Sequence, residues 1–345
     1  MNPEEPRENH LVEIKCYYGT YKRLFLFTVN LICFALVIAL YSYTWDFQLN
    51  SKMNTFAMCR ATINIILVSF RFIIILFLIK RHKTVSYLEN LHEIGVGQDC
   101  QFKGFITRHQ MCKNVVFSIF VVIELALNLG HFFANYNLLG VGEIVYFFML
   151  LIYPNVNLLI IREIIGVSIY LQVAFKLVNS RVDSLMSKQA IDPNSLKSYR
   201  RHYSYAVKAT RSVENYFRCY VTFFYVQYAC YNIMNIVCAF GPHPSKNIFW
   251  LFHFIVDTLL MIYLTIKLVS VNFLSRKSLD NLYEISFELD TMELKYENAI
   301  FMGRVLFTDV GFTFANLFTI NTQFIASMMT LSLTIILALA NFLYE

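Results

Sequence analysis

Long apolar stretches separated by polar linkers dominate the chain. Windows of about 20 mostly apolar residues, the length a helix needs to cross a bilayer core, fall at 24–45, 56–79, 114–134, 141–161, 217–240, 247–269 and 322–343. The pattern predicts an all-α membrane protein with seven transmembrane helices. The second window is interrupted by Arg60 and Arg71. The polar stretch Met1–Arg23 leads into an apolar run too long for a signal-peptide core and without a small-x-small cleavage site, so it is expected to stay as the first span. No soluble domain intervenes and no internal repeat is evident, so 1–345 reads as one seven-span membrane domain.

Basic residues alternate between linkers and set the orientation. Arg7, Lys15, Lys22 and Arg23 precede the first span. Lys80, Arg81, Lys83, Lys103, Arg108 and Lys113 lie between the second and third. Lys176, Arg181, Lys188, Lys197, Arg200, Arg201, Lys208 and Arg211 lie between the fourth and fifth, and Arg276, Lys277, Lys295 and Arg304 between the sixth and seventh. The opposite linkers hold only Lys52 and Lys246. Lys and Arg favour the cytoplasmic side, so the N-terminus is expected inside and the C-terminus outside. The extracellular linkers are then short. The cytoplasmic ones, at about 162–216 and 270–321, keep helical patterning, and Asn272–Leu289 continues the sixth span amphipathically. Forty helical residues reach about 60 Å, twice the hydrocarbon thickness. Long helix extensions that pack together in the cytosol follow from that length.

Composition agrees. Of 345 residues, 57% are hydrophobic and 15% charged, with 33 Phe and 22 Tyr. Ordinary globular chains carry about 45–50% apolar and about 25% charged residues. That excludes a disordered chain, a secreted disulfide scaffold and an ordinary soluble enzyme. The eight cysteines contain no C-x-x-C pair and read as small buried hydrophobes. No metal or cofactor is expected: no H-x-x-x-H pair, no phosphate-binding glycine loop and no Ser-His-Asp grouping occurs. Lys197–Arg211 interleaves Tyr199, Tyr203 and Tyr205. Beside a span it reads as a solvated face or an attraction to anionic lipid, with no nucleic acid partner.

The last span carries an unusual stripe. Gln323, Ser327, Thr330, Thr334, Leu337 and Asn341 follow one another by steps of four and three, which places them on one helical face. Five of the six are polar. An uncharged polar stripe through a bilayer needs a helix partner or water. If it meets water, several copies must surround an axis, because one helix cannot enclose a pore. Near the end of the chain, Thr334-Ile335, the five apolar residues Ile336–Ala340, then Asn341-Phe342, resemble the C-terminal signature of insect gustatory receptors, as does the upstream Phe318-Thr319-Ile320-Asn321. The family pattern has Tyr and Gln where this chain has Ile335 and Asn341. Across the first six spans the resemblance is one of architecture.

That resemblance implies a gustatory chemoreceptor acting as a ligand-gated non-selective cation channel. It implies a homo- or hetero-tetramer in the plasma membrane of a sensory neuron, with the last helix of each subunit lining the pore. Thr334 and Asn341 then face or flank the pore, and Phe342 lies near its outer mouth. The cytoplasmic extensions form an anchor where subunits meet. Sugar-tuned members tend to carry an acid after the Thr-Tyr pair, where this chain has Ile336, so a bitter or other lipophilic tastant is the default. The alternatives are a G-protein-coupled receptor and a secondary transporter. The charge bias, the absence of Asn-Pro-x-x-Tyr in the last span and the lack of Pro-broken repeats oppose them.

Ionisable residues inside spans mark candidate ligand contacts. Glu124, Asn128 and His131 share a face of the third span. His253 and Asp257 share one on the sixth, with Trp250 a turn away. Arg60 and Asn64 lie four apart on the second, and Gln227, Tyr231 and Asn235 line the fifth. The four sets are expected to converge on one outward-opening cavity, aromatic with a few polar handles. Pairing of Glu124 or Asp257 with Arg60 for packing alone is the competing reading.

Overall fold

The computed structural model describes residues 28, 31–32, 34–35, 62–63, 66–67, 69–74, 82–135, 141–186, 191–240, 248–307 and 309–344. Most of the first two expected spans, with Arg60 and Asn64, lies outside them. So do the side chains of His131, Asn235, Trp250, Asn341 and Phe342. The chain divides into two compact units, one of residues 1–80 and 138–153, the other of 81–137 and 154–345. In the first unit the described residues are helical, with Phe72 buried and its ring 5.7 Å from that of Phe34.

The described elements run α1 (His82–Ile94), α2 (Cys100–Asn135), α3 (Val141–Met186), α4 (Pro193–Phe240), α5 (Ile248–Arg276), α6 (Ser278–Glu288), α7 (Met292–Phe307), β1 (Thr313–Phe314), β2 (Phe318–Thr319) and α8 (Thr322–Tyr344). The protein is mostly helical, and a short hairpin interrupts the all-α expectation just before the last helix. α3 and α4 have 46 and 48 residues, hence lengths of about 70 Å each. Among the described residues three stretches are long and apolar enough to cross a membrane: Phe102–Gly130, Asn157–Met186 and Phe252–Glu288.

Local chemistry explains where the helices begin and end. Gly95 stops α1 at φ +86°, with Gly95 N–H donating to His92 O (2.9 Å) and Val96 N–H to Leu91 O (3.1 Å). This paired closure needs a residue at positive φ, which glycine adopts without penalty. Asp192 caps α4, accepting from the Asn194 and Ser195 N–H groups at 3.2 Å, and Pro193 occupies the first helical position. Lys277, between α5 and α6, keeps helical angles (φ −58°, ψ −32°), so the amphipathic run ends only at the extended Leu289.

Interhelical hydrogen bonds fix the directions within the second unit. Gln110 of α2 donates to Gly166 O of α3, and Arg162 of α3 to Asn114 of α2, so these helices are antiparallel. Gln172 donates to Lys267 O and Asn179 to Leu274 O, a constant offset that makes α3 and α5 parallel. Tyr225 bonds Thr265 and Tyr228 bonds Thr258, so α4 opposes α5. The up-down alternation is that of consecutive spans.

α3 is the axis of the unit. Ile161, Ile164, Ile165, Ile169, Phe175, Val178 and Val182 are all fully buried. A helix buried on every side is apolar all round, which is why the stretch after the fourth expected span stays as apolar as a span. Farther along, the rings of Phe175 (α3), Tyr203 (α4) and Phe301 (α7) meet edge-on and tilted, with centroids 5.9 and 5.6 Å apart. All three are fully buried. Arg181 of α3 donates to Ile94 O, completing the end of α1, and to His202 Nδ1 at 2.8 Å. A guanidinium only donates, so His202 accepts and is neutral there. Burial, then the adjoining Arg181 charge, holds its pKa below the ordinary imidazole value.

Candidate functional site

The last helix is built onto the bundle through its approach. β1 and β2 pair antiparallel, Thr313 opposite Thr319 and Phe314 opposite Phe318. Ala315 (φ 51°) and Asn316 (φ 61°) make the turn in the left-handed region. Asn tolerates that conformation, and Ala315 bears a cost of about 1–2 kcal/mol. Two clamps hold the hairpin. On α4, Arg218 grips the Glu214 carboxylate with two 2.5 Å hydrogen bonds, the Thr313 hydroxyl donates to the same carboxylate, and Ala315 N–H donates to Thr222 Oγ1 at 2.8 Å. On α5, Asp309 accepts from Asn272 (3.1 Å), Arg276 (2.8 Å) and the Thr319 hydroxyl (2.6 Å). Asn272 also donates to Val310 O at 2.8 Å. Gly311 lies so close that a Cβ there would stand 2.8 Å from Thr319 Cγ2 and 3.3 Å from Asn272 Cβ.

Asn321 then starts α8, its Oδ1 accepting from Phe324 N–H at 3.0 Å. A cap of this kind contributes about 1 kcal/mol. Phe324 is buried against Phe314, Phe318 and Tyr225, with centroids 5.1–5.8 Å away. Beyond that first turn the helix is largely uncovered by its own chain. Gln323, Ser327, Thr330, Thr334 and Leu337 are exposed, and so are Met329, Leu331 and Leu333. The hydroxyls of Thr330 and Thr334 donate to the carbonyls of Ala326 and Thr330, both at 2.9 Å. Each hydroxyl oxygen keeps its lone pairs as acceptors. Asn341 and Phe342 belong to α8, with side chains outside the described residues.

The second set of residues meets between α2 and α5. Glu124 Oε2 lies 3.6 Å from His253 Nδ1. Glu124 is buried and His253 half-buried. Asn128, one turn along α2, is 3% exposed, and its Nδ2 has no hydrogen-bond partner among the described residues. Asp257 is half-buried one turn from His253, and Gln227 of α4 is buried. The expected pairing of Glu124 with Arg60 lies outside the described residues, whereas the Glu124–His253 contact is new. Among the described residues no group of three or more His, Cys, Asp or Glu side chains is placed to hold a metal ion. The hairpin clamps were missed in the sequence, although Thr313-Phe-Ala-Asn-Leu-Phe-Thr319 is almost symmetric about a turn-forming Asn.

No protein-family model matches the chain, and no curated protein matches it in sequence. Solved structures do match. The insect olfactory receptor OR5 from Machilis hrabei in complex with eugenol superposes with a TM-score of 0.61 at 11% identity, over 98% of this chain and 92% of that one. A second structure of the insect olfactory receptor OR5 from Machilis hrabei gives 0.56 at 12% identity over the same shares. By the course of its backbone, therefore, this chain has a fold similar to that of an insect olfactory receptor.

Proposed function

We propose that the chain is a gustatory-type chemoreceptor of seven spans that opens a non-selective cation pore when a small lipophilic tastant binds. It works as a homo- or hetero-tetramer in the plasma membrane of a sensory neuron, N-terminus inside. The observation that carries this reading is the polar stripe of α8, which its own chain leaves uncovered. In a monomer that stripe would face lipid, where polar groups are costly. Around a four-fold axis it faces water. Hydroxyl oxygens suit cations, and the absence of an acidic ring on the stripe argues against strong divalent selectivity. Phe342, or the apolar turn at Leu337–Ala338, is the candidate gate. Phe287, Met292, Tyr296 and Phe307 of α6 and α7 are 68–85% exposed. Such uncovered aromatic surface fits an anchor where subunits meet.

The ligand lies at Glu124, Asn128 and His253, with Asp257, His131 and Trp250 completing the set. A buried donor without a partner costs about 1–3 kcal/mol, so the Asn128 amide favours a ligand that brings an oxygen acceptor. The olfactory receptor neighbour in complex with eugenol supports a small organic ligand in this fold. The test is expression in cells, recording against a tastant panel, then alanine at Asn128, His253 and Asp257. We expect the half-maximal concentration to rise roughly tenfold, the worth of one lost polar contact, at unchanged surface delivery. An unchanged concentration dependence in all three would place the ligand elsewhere.

A further inference from the structure

A group of cations converges where α2, α3 and α5 meet, on the side expected to face the cytosol. Lys176 of α3 sets its Nζ 3.7 Å from the centroid of the Phe105 ring on α2. The His109 imidazole stacks on that same ring, centroids 3.7 Å apart. Lys267 of α5 reaches over Tyr263, and its backbone carbonyl holds Gln172 of α3. Arg108, Lys176 and Lys267 all act on His109 with like charge, and Lys267 and Lys277 act on Lys176. Among the described residues neither Lys176 nor Lys267 makes an ion pair with a carboxylate. Like charges gathered from three helices repel one another, and a multivalent anion seated among them relieves that cost.

The surroundings say where the anion comes from. Two apolar stripes lead away from the cations toward the expected bilayer. Met111, Val115 and Ile119 follow each other by four on α2, and Ile266, Ile262 and Leu259 by four and three on α5; all six are exposed. Lys267 lies two residues inside the expected span end at 269, and the Gln172–Lys267 bond levels Lys176 with the first residues beyond it, next to the headgroup layer. A free phosphate has no use for the stripes; a lipid uses both, acyl chains on the stripes and phosphates on the lysines.

We propose that this junction is a binding site for a lipid with a multiply phosphorylated headgroup, of the phosphoinositide bisphosphate class, in the cytoplasmic leaflet. The proposal rests on the membrane reading given above, though not on conduction. Each lysine near a membrane surface contributes about a factor of five to anion attraction. The test uses full-length protein in phosphatidylcholine nanodiscs doped with a phosphatidylinositol bisphosphate or, at matched surface charge, with phosphatidylserine. Native mass spectrometry counts the lipid retained. We expect the phosphoinositide to be retained in preference, Lys176→Gln with Lys267→Gln to lower retention at least ~10-fold, and Lys176→Arg with Lys267→Arg to preserve it. Inorganic pyrophosphate should fail to displace the lipid. Equal retention of both lipids, equal retention by the Gln variant, or displacement by pyrophosphate would each overturn the site. Because retention is read without current, a non-conducting protein that still retains the lipid counts against the channel reading alone.

Discussion

Replacing Thr334 or Asn341 by leucine should abolish ligand-evoked current while the protein still reaches the cell surface. Thr334 is exposed on α8, and Asn341 lies two turns farther on the same stripe. In a tetramer each substitution places four isobutyl groups at one level of the pore. A narrow apolar ring excludes water and with it ions. Every 1.4 kcal/mol of added barrier is a factor of ten in conduction, so we expect at least a tenfold loss. The helix itself should survive, because leucine is a better helix former than threonine or asparagine. Surface biotinylation beside whole-cell recording separates lost conduction from lost delivery. Normal currents in both variants would remove the stripe from the pore.

The second large effect concerns the body that holds the last helix in place. Phe301→Ala should destabilise the protein by about 3–5 kcal/mol, the usual cost of deleting a fully buried aromatic ring. Phe301 is fully buried against Tyr203, which meets Phe175 edge-on in turn. Its loss opens a cavity among α3, α4 and α7 at once. Phe307→Ala is the contrast. That ring is 85% exposed, so removing it should change subunit stability by less than about 0.5 kcal/mol and weaken assembly instead. Thermal unfolding in detergent reads the first effect, and native mass spectrometry of the oligomer reads the second. A Phe301→Ala protein as stable as the parent would mean that 162–216 and 270–321 do not pack as one body.

What the sequence reveals depends on whether a feature is periodic. The stripe at Gln323, Ser327, Thr330 and Thr334 is a run of threes and fours, and the structure leaves those residues on the surface of α8. Asn272–Leu289 is amphipathic, and it is helical to Glu288. Periodicity fails where burial is complete. Residues 164–179 are apolar because α3 is enclosed by protein there, and pattern alone does not separate that from lipid. It fails again at β1 and β2, because two residues are too few for an alternation to register. Spacing along one helix brought out Glu124 with Asn128 and His253 with Asp257. The contact of Glu124 with His253 depends on the register of α2 against α5, which no single segment encodes. The Asp309 clamp joins α5 to the hairpin across 33 and 37 residues of chain for the same reason.

The most direct measurement is cysteine accessibility along α8. Cys112 and Cys219 are free and exposed, so they are first replaced by serine. Single cysteines are then placed at Ser327, Thr330 and Thr334, and at Met328 and Met329 on the far side of the helix. A charged, membrane-impermeant thiol reagent is added while a ligand holds the channel open. We expect the three stripe positions to react and block the current, and Met328 and Met329 to stay unmodified in lipid or protein. Reaction at Met328 and Met329 with none at Ser327, Thr330 and Thr334 would show that the stripe faces no water, and the channel reading would fall with it.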